Sequence, residues 1–280
     1  MTQPLRYAQL QVAVADLDVA AEAYRRVLGL ADGDSGRDDE EGARWLDLGA
    51  AREASVRLME PTGGGPLANA MEARADERNP RGEGYYLSVW RTPELDAVSA
   101  VLRASGAAIE ERPGGRLRPD PLAAHGVRFE IAPELDDPVE APPEAPYALS
   151  HIGLAVRDRD RAIATFHQLL GTETVSELHH QEYGELEWQR VGRGGRRMFT
   201  LLTPLTPASA LVPRMDRRAG REHPEGEGVH VVVFGVPDLA VGAATAAAAG
   251  ANVAGGGGGT YWLHPRALHG LYVEVIARGS

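Results

Sequence analysis

The sequence predicts an α+β protein made of four βαβββ units, two in each half of its 280 residues. Two observations carry this prediction. Four sequence blocks of the first half recur in the same order in the second half, at offsets that drift only from 142 to 144. In each half, a strand-like run is followed by a segment of helical period and then by three more strand-like runs, and the series then repeats. Consecutive strands of this kind predict mixed sheets with helices on their outer face.

The clearest repeated block is a strand, a turn and a helix. Residues 12–30 read VAVADLDVAAEAYRRVLGL, and residues 154–172 read LAVRDRDRAIATFHQLLGT. In the second copy Asp158 is typical of a helix start and Gly171 of a helix end. The other matching blocks are 56–61 with 199–204, 82–95 with 226–239, and 125–131 with 269–275.

The remaining elements of the second half follow from apolar alternation and turn residues. Asp238 predicts the N-cap of a second helix, and Gly250 predicts its end. Strand-like runs lie near residues 174–179, 186–191, 198–202, 231–236, 252, 261–263 and 271–276.

The same patterns predict a domain organisation. Residues 1–135 form an N-terminal module and residues 147–280 a C-terminal module. Between them, 136–146 read DDPVEAPPEAP, which is rich in proline and acid and offers nothing to bury. Such a stretch is typical of an extended linker.

Composition excludes several classes of function. The net charge of −11 argues against nucleic acid or an anionic membrane as the main partner, because both require a basic surface. The chain has no cysteine, which excludes disulfides and thiolate chemistry. The N-terminus lacks the pattern of a signal peptide, and no apolar run is long enough to span a bilayer. We therefore expect a cytoplasmic protein, either a monomer or a homodimer.

Three segments carry a family resemblance. HIGLAV (151–156), GEGVHVVVFGVPDL (226–239) and LHPRALHGLYVEV (263–275) resemble proteins of the vicinal oxygen chelate superfamily, the glyoxalase, bleomycin-resistance and extradiol-dioxygenase group. The resemblance implies that each half is one module whose two βαβββ units form a cup-shaped mixed sheet. It also implies a divalent metal in the cup, held by one residue from each of four strands.

The ligand positions of the family can be carried over to the second half. They fall on His151, Thr200 and Glu274, and the fourth falls on Val231, one residue after His230. Neighbouring strand residues point to opposite faces, so His230 enters the cup only if a β-bulge re-aims it. In the first half the same positions hold Gln9, Arg57, Leu87 and Glu130, a set that predicts no metal site.

Two interpretations follow from this pattern. With a bulge, His151, His230 and Glu274 form a two-histidine, one-carboxylate set, with Thr200 as a weak fourth ligand. That set suits Fe(II) best, although Zn, Ni, Co and Mn also remain candidates. Without a bulge, the cup binds a small molecule with no metal.

Two further residues are candidates for catalysis, each with a structural alternative. Glu182, in HHQEYGE, matches the region where epimerase relatives carry a catalytic glutamate and could act as a base, or it could lie in a solvated turn. Tyr261 could face the cup and contact a ligand, or it could pack in the core. The arginine-rich segment VGRGGRR (191–197) reads as a solvated hairpin.

The sequence therefore predicts a protein that binds a small oxygenated organic molecule in the C-terminal cup. The resemblance implies a metal-dependent dioxygenase, isomerase or lyase. One alternative is a metal-free binding protein that sequesters a drug or metabolite. A second alternative is a metal-free acid–base enzyme that uses the same cup.

Overall fold

The structure is a computed structural model that describes residues 5–50, 53–135, 147–182, 184–221, 223–256 and 259–278. The predicted linker, 136–146, lies outside the described residues. Within the described ranges, no helix is both long and apolar enough to cross a membrane.

The described residues of the first half form eight strands and three α-helices. In chain order these are β1 (Arg6–Ala13), α1 (Leu17–Leu28), β2 (Asp32–Asp38), β3 (Ala43–Ala50), β4 (Glu53–Pro61), α2 (Pro66–Arg74), β5 (Gly84–Thr92), α3 (Leu95–Ala104), β6 (Ile109–Arg112), β7 (Arg116–Pro119) and β8 (Phe129–Pro133).

The second half repeats this order with one additional short strand. Its elements are β9 (Ala148–Ala155), α4 (Arg159–Leu170), β10 (Glu173–Thr174), β11 (His179–Gln181), β12 (Leu186–Arg193), β13 (Arg196–Pro204), α5 (Val212–Arg218), β14 (Gly228–Val236), α6 (Leu239–Ala248), β15 (Val253–Gly256), β16 (Thr260–Leu263) and β17 (Val273–Ala277).

This order confirms the predicted α+β class and the four βαβββ units. The predicted caps are also found: Asp158 accepts from the Arg161 amide, Gly171 ends α4 with φ 64°, and Asp238 accepts from the first amides of α6. Two short helices were not predicted. Both α2 and α5 carry a proline in their first turn, Pro66 and Pro213, which is a usual helix-start position.

Each half forms one mixed sheet. The first has the order β2-β3-β4-β1-β5-β8-β7-β6, and the second has the order β10-β12-β13-β9-β14-β17-β16-β15, with β11 paired to β12. The first strand of each βαβββ unit runs parallel to the last, and the other pairs for which a register is given are antiparallel.

Tertiary contacts group the chain differently from the sheets. One compact unit comprises Met1–Tyr7, Leu87–Leu135 and His151–His230, and is called here the mid-chain unit. The other comprises Ala8–Tyr86, Asp136–Ser150 and Val231–Ser280, and is called the end-chain unit. Each unit therefore combines one βαβββ unit from each half of the sequence.

Aromatic side chains and helices join the two sequence halves inside each unit. In the mid-chain unit, α3 packs on α4, and Phe199 lies 4.4 Å from Phe166 and 5.7 Å from Trp90, measured between ring centroids. In the end-chain unit, α1 packs on α6, and the Tyr24 hydroxyl donates to the Leu268 carbonyl (3.1 Å).

A histidine–glutamate pair also joins the halves in each unit. In the mid-chain unit, His125 Nδ1 is 2.6 Å from Glu227, and in the end-chain unit His269 Nδ1 is 3.1 Å from Glu83. Both histidines have left-handed backbones, with φ 53° and 50°. Each glutamate also accepts a hydrogen bond from a backbone amide in the turn that follows the first strand of its own half. The donor to Glu83 is Ala15, and the donor to Glu227 is Arg157. The repeated His-Gly motif is therefore structural in both copies.

Candidate ligand-binding site on the His151 face

Three strands of the mid-chain unit place His151 on a shared surface. In the register of β9, β13 and β12, Gly153 pairs with Thr200, and Thr200 pairs with Arg190. Paired residues project to the same side of a sheet, as do residues two apart on one strand. We call this surface, defined by His151, Gly153, Thr200, Arg190 and Trp188, the His151 face.

Helix packing distinguishes the two sides of these strands. Phe166 of α4 packs on Phe199, so the helix α4 covers the opposite face. On the His151 face, the short helix α5 covers one end. There Leu211 and Met215 pack with Ala155, Leu186, Trp188 and Leu202. His151 lies four residues before Ala155 on β9, away from that covered end.

His151 is buried and is held neutral by its surroundings. Its side chain is nearly inaccessible, at 2% exposure. Burial, and after it the positive charges of Arg190 and Arg197, lower the pKa of His151 to about 3. At neutral pH the ring is therefore uncharged and carries one N–H donor and one acceptor nitrogen.

The guanidinium of Arg190 lies against an aromatic ring. The guanidinium of Arg190 lies 4.9 Å from the centre of the Trp188 ring, a cation–π distance. His179 stacks on the same indole at 3.9 Å. Arg190 is therefore fixed on the same face as His151 and Thr200.

His230 has an arginine as its observed partner. Arg214 Nη1 of α5 donates to His230 Nε2 (3.2 Å), which occupies the lone pair that a metal would need. Burial, Arg214 and Arg218, in that order, lower the pKa of His230 well below its ordinary value. The register of β14 with β17 is regular from Val232 to Val236, and the bulge that would re-aim His230 is not found in that stretch.

Glu274 belongs to the end-chain unit. It is half-buried on β17, where it pairs with Val233 on one side and Trp262 on the other. Trp262 stacks on Tyr272 at 5.2 Å, so Glu274 lies beside an aromatic pair.

These residues do not fit a resident divalent metal. In the part of the chain that the structure describes, no three or more His, Cys, Asp or Glu side chains are grouped so as to hold a metal ion. The charges that act on His151 and His230 are guanidinium groups, which repel a divalent cation.

The remaining candidates lie elsewhere. Glu182 is exposed in the turn that follows β11, and its carbonyl accepts from the Glu185 amide. Tyr261 is buried, and its hydroxyl bonds to that of Tyr147 (2.7 Å) close to Gly242 of α6. Burial is the main cause that raises the pKa of Tyr261.

The interpretation of 191–197 as a solvated hairpin is wrong at one end. Arg193 is buried at 4% exposure and donates to the Leu170 carbonyl (2.7 Å), whereas Arg196 is exposed. The register also places the neighbouring Arg190 on the His151 face. Counting outward from the Gly194–Gly195 turn pairs Arg190 with Phe199, and it is the register shift between Val191 and Gly192 that brings Arg190 opposite Thr200.

In the first half, two of the residues at the matching positions, Arg57 and Glu130, form ion pairs. Arg57 donates to both oxygens of Asp47 (2.6 and 2.8 Å) and lies 3.8 Å from the Trp45 ring centre. Glu130 is fully buried and accepts from Arg116 (3.0 Å) and Arg118 (2.6 Å). Two of the four matching positions, Arg57 and Glu130, are therefore engaged in ion pairs.

Comparison with known proteins identifies the fold. The model of a family described as "Glyoxalase/Bleomycin resistance protein/Dioxygenase superfamily" matches residues 6–118 and 148–267. A triple mutant of 4-hydroxymandelate synthase from Streptomyces coelicolor superposes with a TM-score of 0.70 at 16% identity, over 99% of this chain and 95% of that one.

A second solved structure is similar over nearly the same length. BphC, a halotolerant catechol dioxygenase, superposes with a TM-score of 0.63 at 14% identity, over 98% of this chain and 87% of that one. No curated protein sequence matches the chain. At these identities the structural likeness establishes the fold alone.

Proposed function

Because the chain belongs to the glyoxalase/bleomycin resistance protein/dioxygenase superfamily, whose model matches both halves, we propose that its His151 face binds a small oxygenated organic anion without a resident divalent metal. The observation that carries the proposal is the environment of His151. A buried neutral imidazole lies within the field of Arg190 and Arg197. Such a surface attracts negative charge.

The side chains of this face supply donors suited to a carboxylate or an enolate oxygen. Arg190 offers N–H groups in a fixed planar arrangement, Thr200 offers a hydroxyl on the paired strand, and the neutral His151 ring offers one N–H. A guanidinium binds carboxylates through two parallel hydrogen bonds, which gives orientation as well as affinity.

The pKa of His151 favours binding over acid–base catalysis. A general base works best when its pKa lies near the working pH. With a pKa of about 3, the His151 ring is too weak a base to remove a proton from carbon at neutral pH. The metal-free binding protein is therefore preferred to the metal-free acid–base enzyme.

The metal-dependent dioxygenase or isomerase is the rival proposal. It would require His151 and Glu274 together with His230 or Thr200, and Fe(II) would be the first metal to test. The guanidinium groups beside both histidines oppose it.

Benzoate and benzamide form a matched pair of probes, since they share shape and differ in charge. We expect benzoate, but not benzamide, to bind protein that has been treated with chelator, as measured by isothermal titration calorimetry. Arg190→Gln is expected to weaken benzoate binding about tenfold or more, the effect of one lost charged hydrogen bond. Arg196→Gln removes the same charge from an exposed position and serves as the control.

Two results would overturn the proposal. One is a stoichiometric divalent metal that copurifies with the protein and whose removal abolishes benzoate binding. The other is equal binding of benzoate and benzamide, which would show that charge plays no part in recognition.

A further inference from the structure

The tryptophans Trp45 and Trp188, which correspond by the repeat offset of 143, have different residues beside them on the neighbouring strand. On β2, Gly36 is the partner of Trp45 in the register. On β11, His179 is the partner of Trp188. The same offset of 143 relates Gly36 to His179. Offset and register therefore identify one position, which is glycine in the first half and histidine in the second.

In the first half, the indole of Trp45 lies directly against Gly36. A Cβ atom at Gly36 would lie 2.8 Å from Cζ2 and 3.1 Å from Cε2 of this ring. Non-bonded carbon atoms are normally about 3.5–4.0 Å apart, so a residue with a side chain fits here only if the ring moves. The glycine therefore leaves room for the indole at this place.

In the second half, an imidazole ring occupies the corresponding position. His179 stacks on Trp188 with 3.9 Å between the ring centroids and 13° between the ring planes. Because His179 has a Cβ atom where Gly36 has none, the indole of Trp188 cannot take the place that Trp45 takes beside the neighbouring strand. The two indoles therefore require different positions over their sheets.

The cation beside the indole also comes from a different strand in each half. In the first half it is Arg57 of β4, which lies 3.8 Å from the ring centre and is paired with Asp47. In the second half it is Arg190, at 4.9 Å, on the same strand as Trp188. The change of cation thus accompanies the change from glycine to histidine.

We propose that His179 is a positioning residue of the anion site on the His151 face, an inference that rests on the proposed function. Its imidazole holds the indole of Trp188 where that ring supports the guanidinium of Arg190. The stack limits rotation of the indole, and the indole in turn limits rotation of the guanidinium. A guanidinium that is already ordered loses less freedom when it binds a carboxylate, and this raises the affinity.

Packing from α5 contributes to the position of the same indole. Leu211 and Met215 belong to the apolar cluster against which Trp188 packs. Substitutions at His179 leave these two side chains in place. They therefore isolate the contribution of the stack from that of the apolar packing.

Benzoate is the probe, because it carries the carboxylate that Arg190 is proposed to bind. We expect His179→Gly, which copies the first half, to weaken benzoate binding about fivefold in calorimetric titration, the effect of one lost cation–π contact. His179→Phe keeps a ring that can stack and should bind benzoate within about twofold of the wild type. His180→Gly is the control, since this exposed neighbour projects to the opposite side of β11.

A second measurement needs no ligand. The Nε–Hε signal of Arg190 in the ¹H–¹⁵N spectrum reports on the guanidinium itself and is assigned by its loss in Arg190→Gln. An aromatic ring shifts the signals of nuclei that lie over it, so we expect this signal to move in His179→Gly. It should stay close to its wild-type position in His179→Phe and in His180→Gly.

The proposal is supported if loss of the ring at His179 weakens benzoate binding and moves the Arg190 signal, and if phenylalanine reverses both effects. Unchanged benzoate affinity in His179→Gly, or an affinity as low in His179→Phe as in His179→Gly, would overturn it. If the wild type does not bind benzoate, the proposed function fails, and the Arg190 signal alone decides whether His179 positions the guanidinium. His179→Ala also removes the ring and replaces His179→Gly if that variant does not fold.

Discussion

The two halves of the chain pair the same two strands in the same register, but they place charged residues differently on them. In the first half, Asp47 pairs across the sheet with Arg57, and the two form a closed ion pair beside Trp45. In the second half, the same three positions hold Arg190, Thr200 and Trp188. The aromatic support is kept, the cation has moved to the other strand, and a hydroxyl stands where a charged partner would be. Duplication has thus preserved the arrangement of the strands and changed the arrangement of the charges on them.

The last strands of the two halves differ in the same way. Glu130 is fully buried and accepts from Arg116 and Arg118. The residues that match these arginines in the second half are Thr260 and Trp262, beside Glu274. The first half therefore places arginines at the two positions where the second half has Thr260 and Trp262.

The largest expected effect comes from a substitution in the ion cluster of the first half, in which Glu130 accepts from Arg116 and Arg118. Glu130→Gln leaves the partly buried guanidinium groups of Arg116 and Arg118 without their buried carboxylate and should lower the free energy of unfolding by about 3 kcal/mol. Urea denaturation measures it. Glu111→Gln, in an exposed pair with Arg103, is the control and should change stability by less than about 1 kcal/mol. Equal effects of the two variants would contradict the distinction between a closed and an exposed pair.

The second largest expected effect is the loss of stability at acid pH that His151 causes. The pKa of His151 is lowered in the folded protein from 6.5 to about 3, so in that window the unfolded chain binds a proton that the folded chain does not. Stability should therefore fall by about 1.4 kcal/mol for each pH unit below 6.5 through this residue alone. His151→Gln should flatten the fall between pH 6.5 and 4.5. His180→Gln, at an exposed position, should leave it unchanged. A slope that is unaltered in His151→Gln would show that the ring is not the group responsible.

A charge exchange tests the comparison directly. Arg190→Asp combined with Thr200→Arg copies the first-half pair into the second half. We expect a folded protein that binds benzoate about tenfold less tightly, because the new guanidinium is occupied by the new carboxylate. Calorimetric titration gives the affinity and circular dichroism the fold. Undiminished benzoate binding would place the anion site elsewhere.

The smallest expected effect is the difference in stability loss between variants of the two histidine–glutamate pairs. Asparagine tolerates the left-handed backbone of both histidines, so His125→Asn and His269→Asn isolate the side-chain contact. We expect His125→Asn to cost about 1–3 kcal/mol, because it leaves the fully buried Glu227 short of a donor. His269→Asn should cost less, since Glu83 is partly exposed. Thermal unfolding of the two variants side by side gives the ranking, and the reverse order would refute it.

Much of the fold could be predicted because its signals are local. Asp158 and Gly171 mark the start and the end of a helix through contacts with their own neighbours in sequence. The repeated blocks predict the same order of strands and helices along both halves. The grouping of the chain into mid-chain and end-chain units could not be predicted. It depends on contacts such as Trp90 with Phe199, which join residues far apart in sequence and leave no periodic trace.

The candidate ligand residues came from the family resemblance, which assigned His151, Thr200 and Glu274 to strands. The structure has them on β9, β13 and β17, with Glu274 in the end-chain unit. Strand alternation gave reason to doubt His230. The positions of Arg190 on the His151 face and of Arg193 in the interior were not predicted, because long charged side chains usually indicate solvent exposure. Only the register that sets Arg190 opposite Thr200 shows that one of them shares a face with His151.

The division of the compact units has a consequence for how the chain matures on the ribosome. The mid-chain unit needs residues only up to His230, so it can close while the last strands are still being made. The end-chain unit joins Ala8–Tyr86 to Val231–Ser280, and α1 must wait for α6 through the synthesis of the 210 residues from 29 to 238. Its early strands therefore remain without their packing partners longest. A ribosome that pauses near the C-terminus would hold a nascent chain whose centre is complete and whose beginning is not.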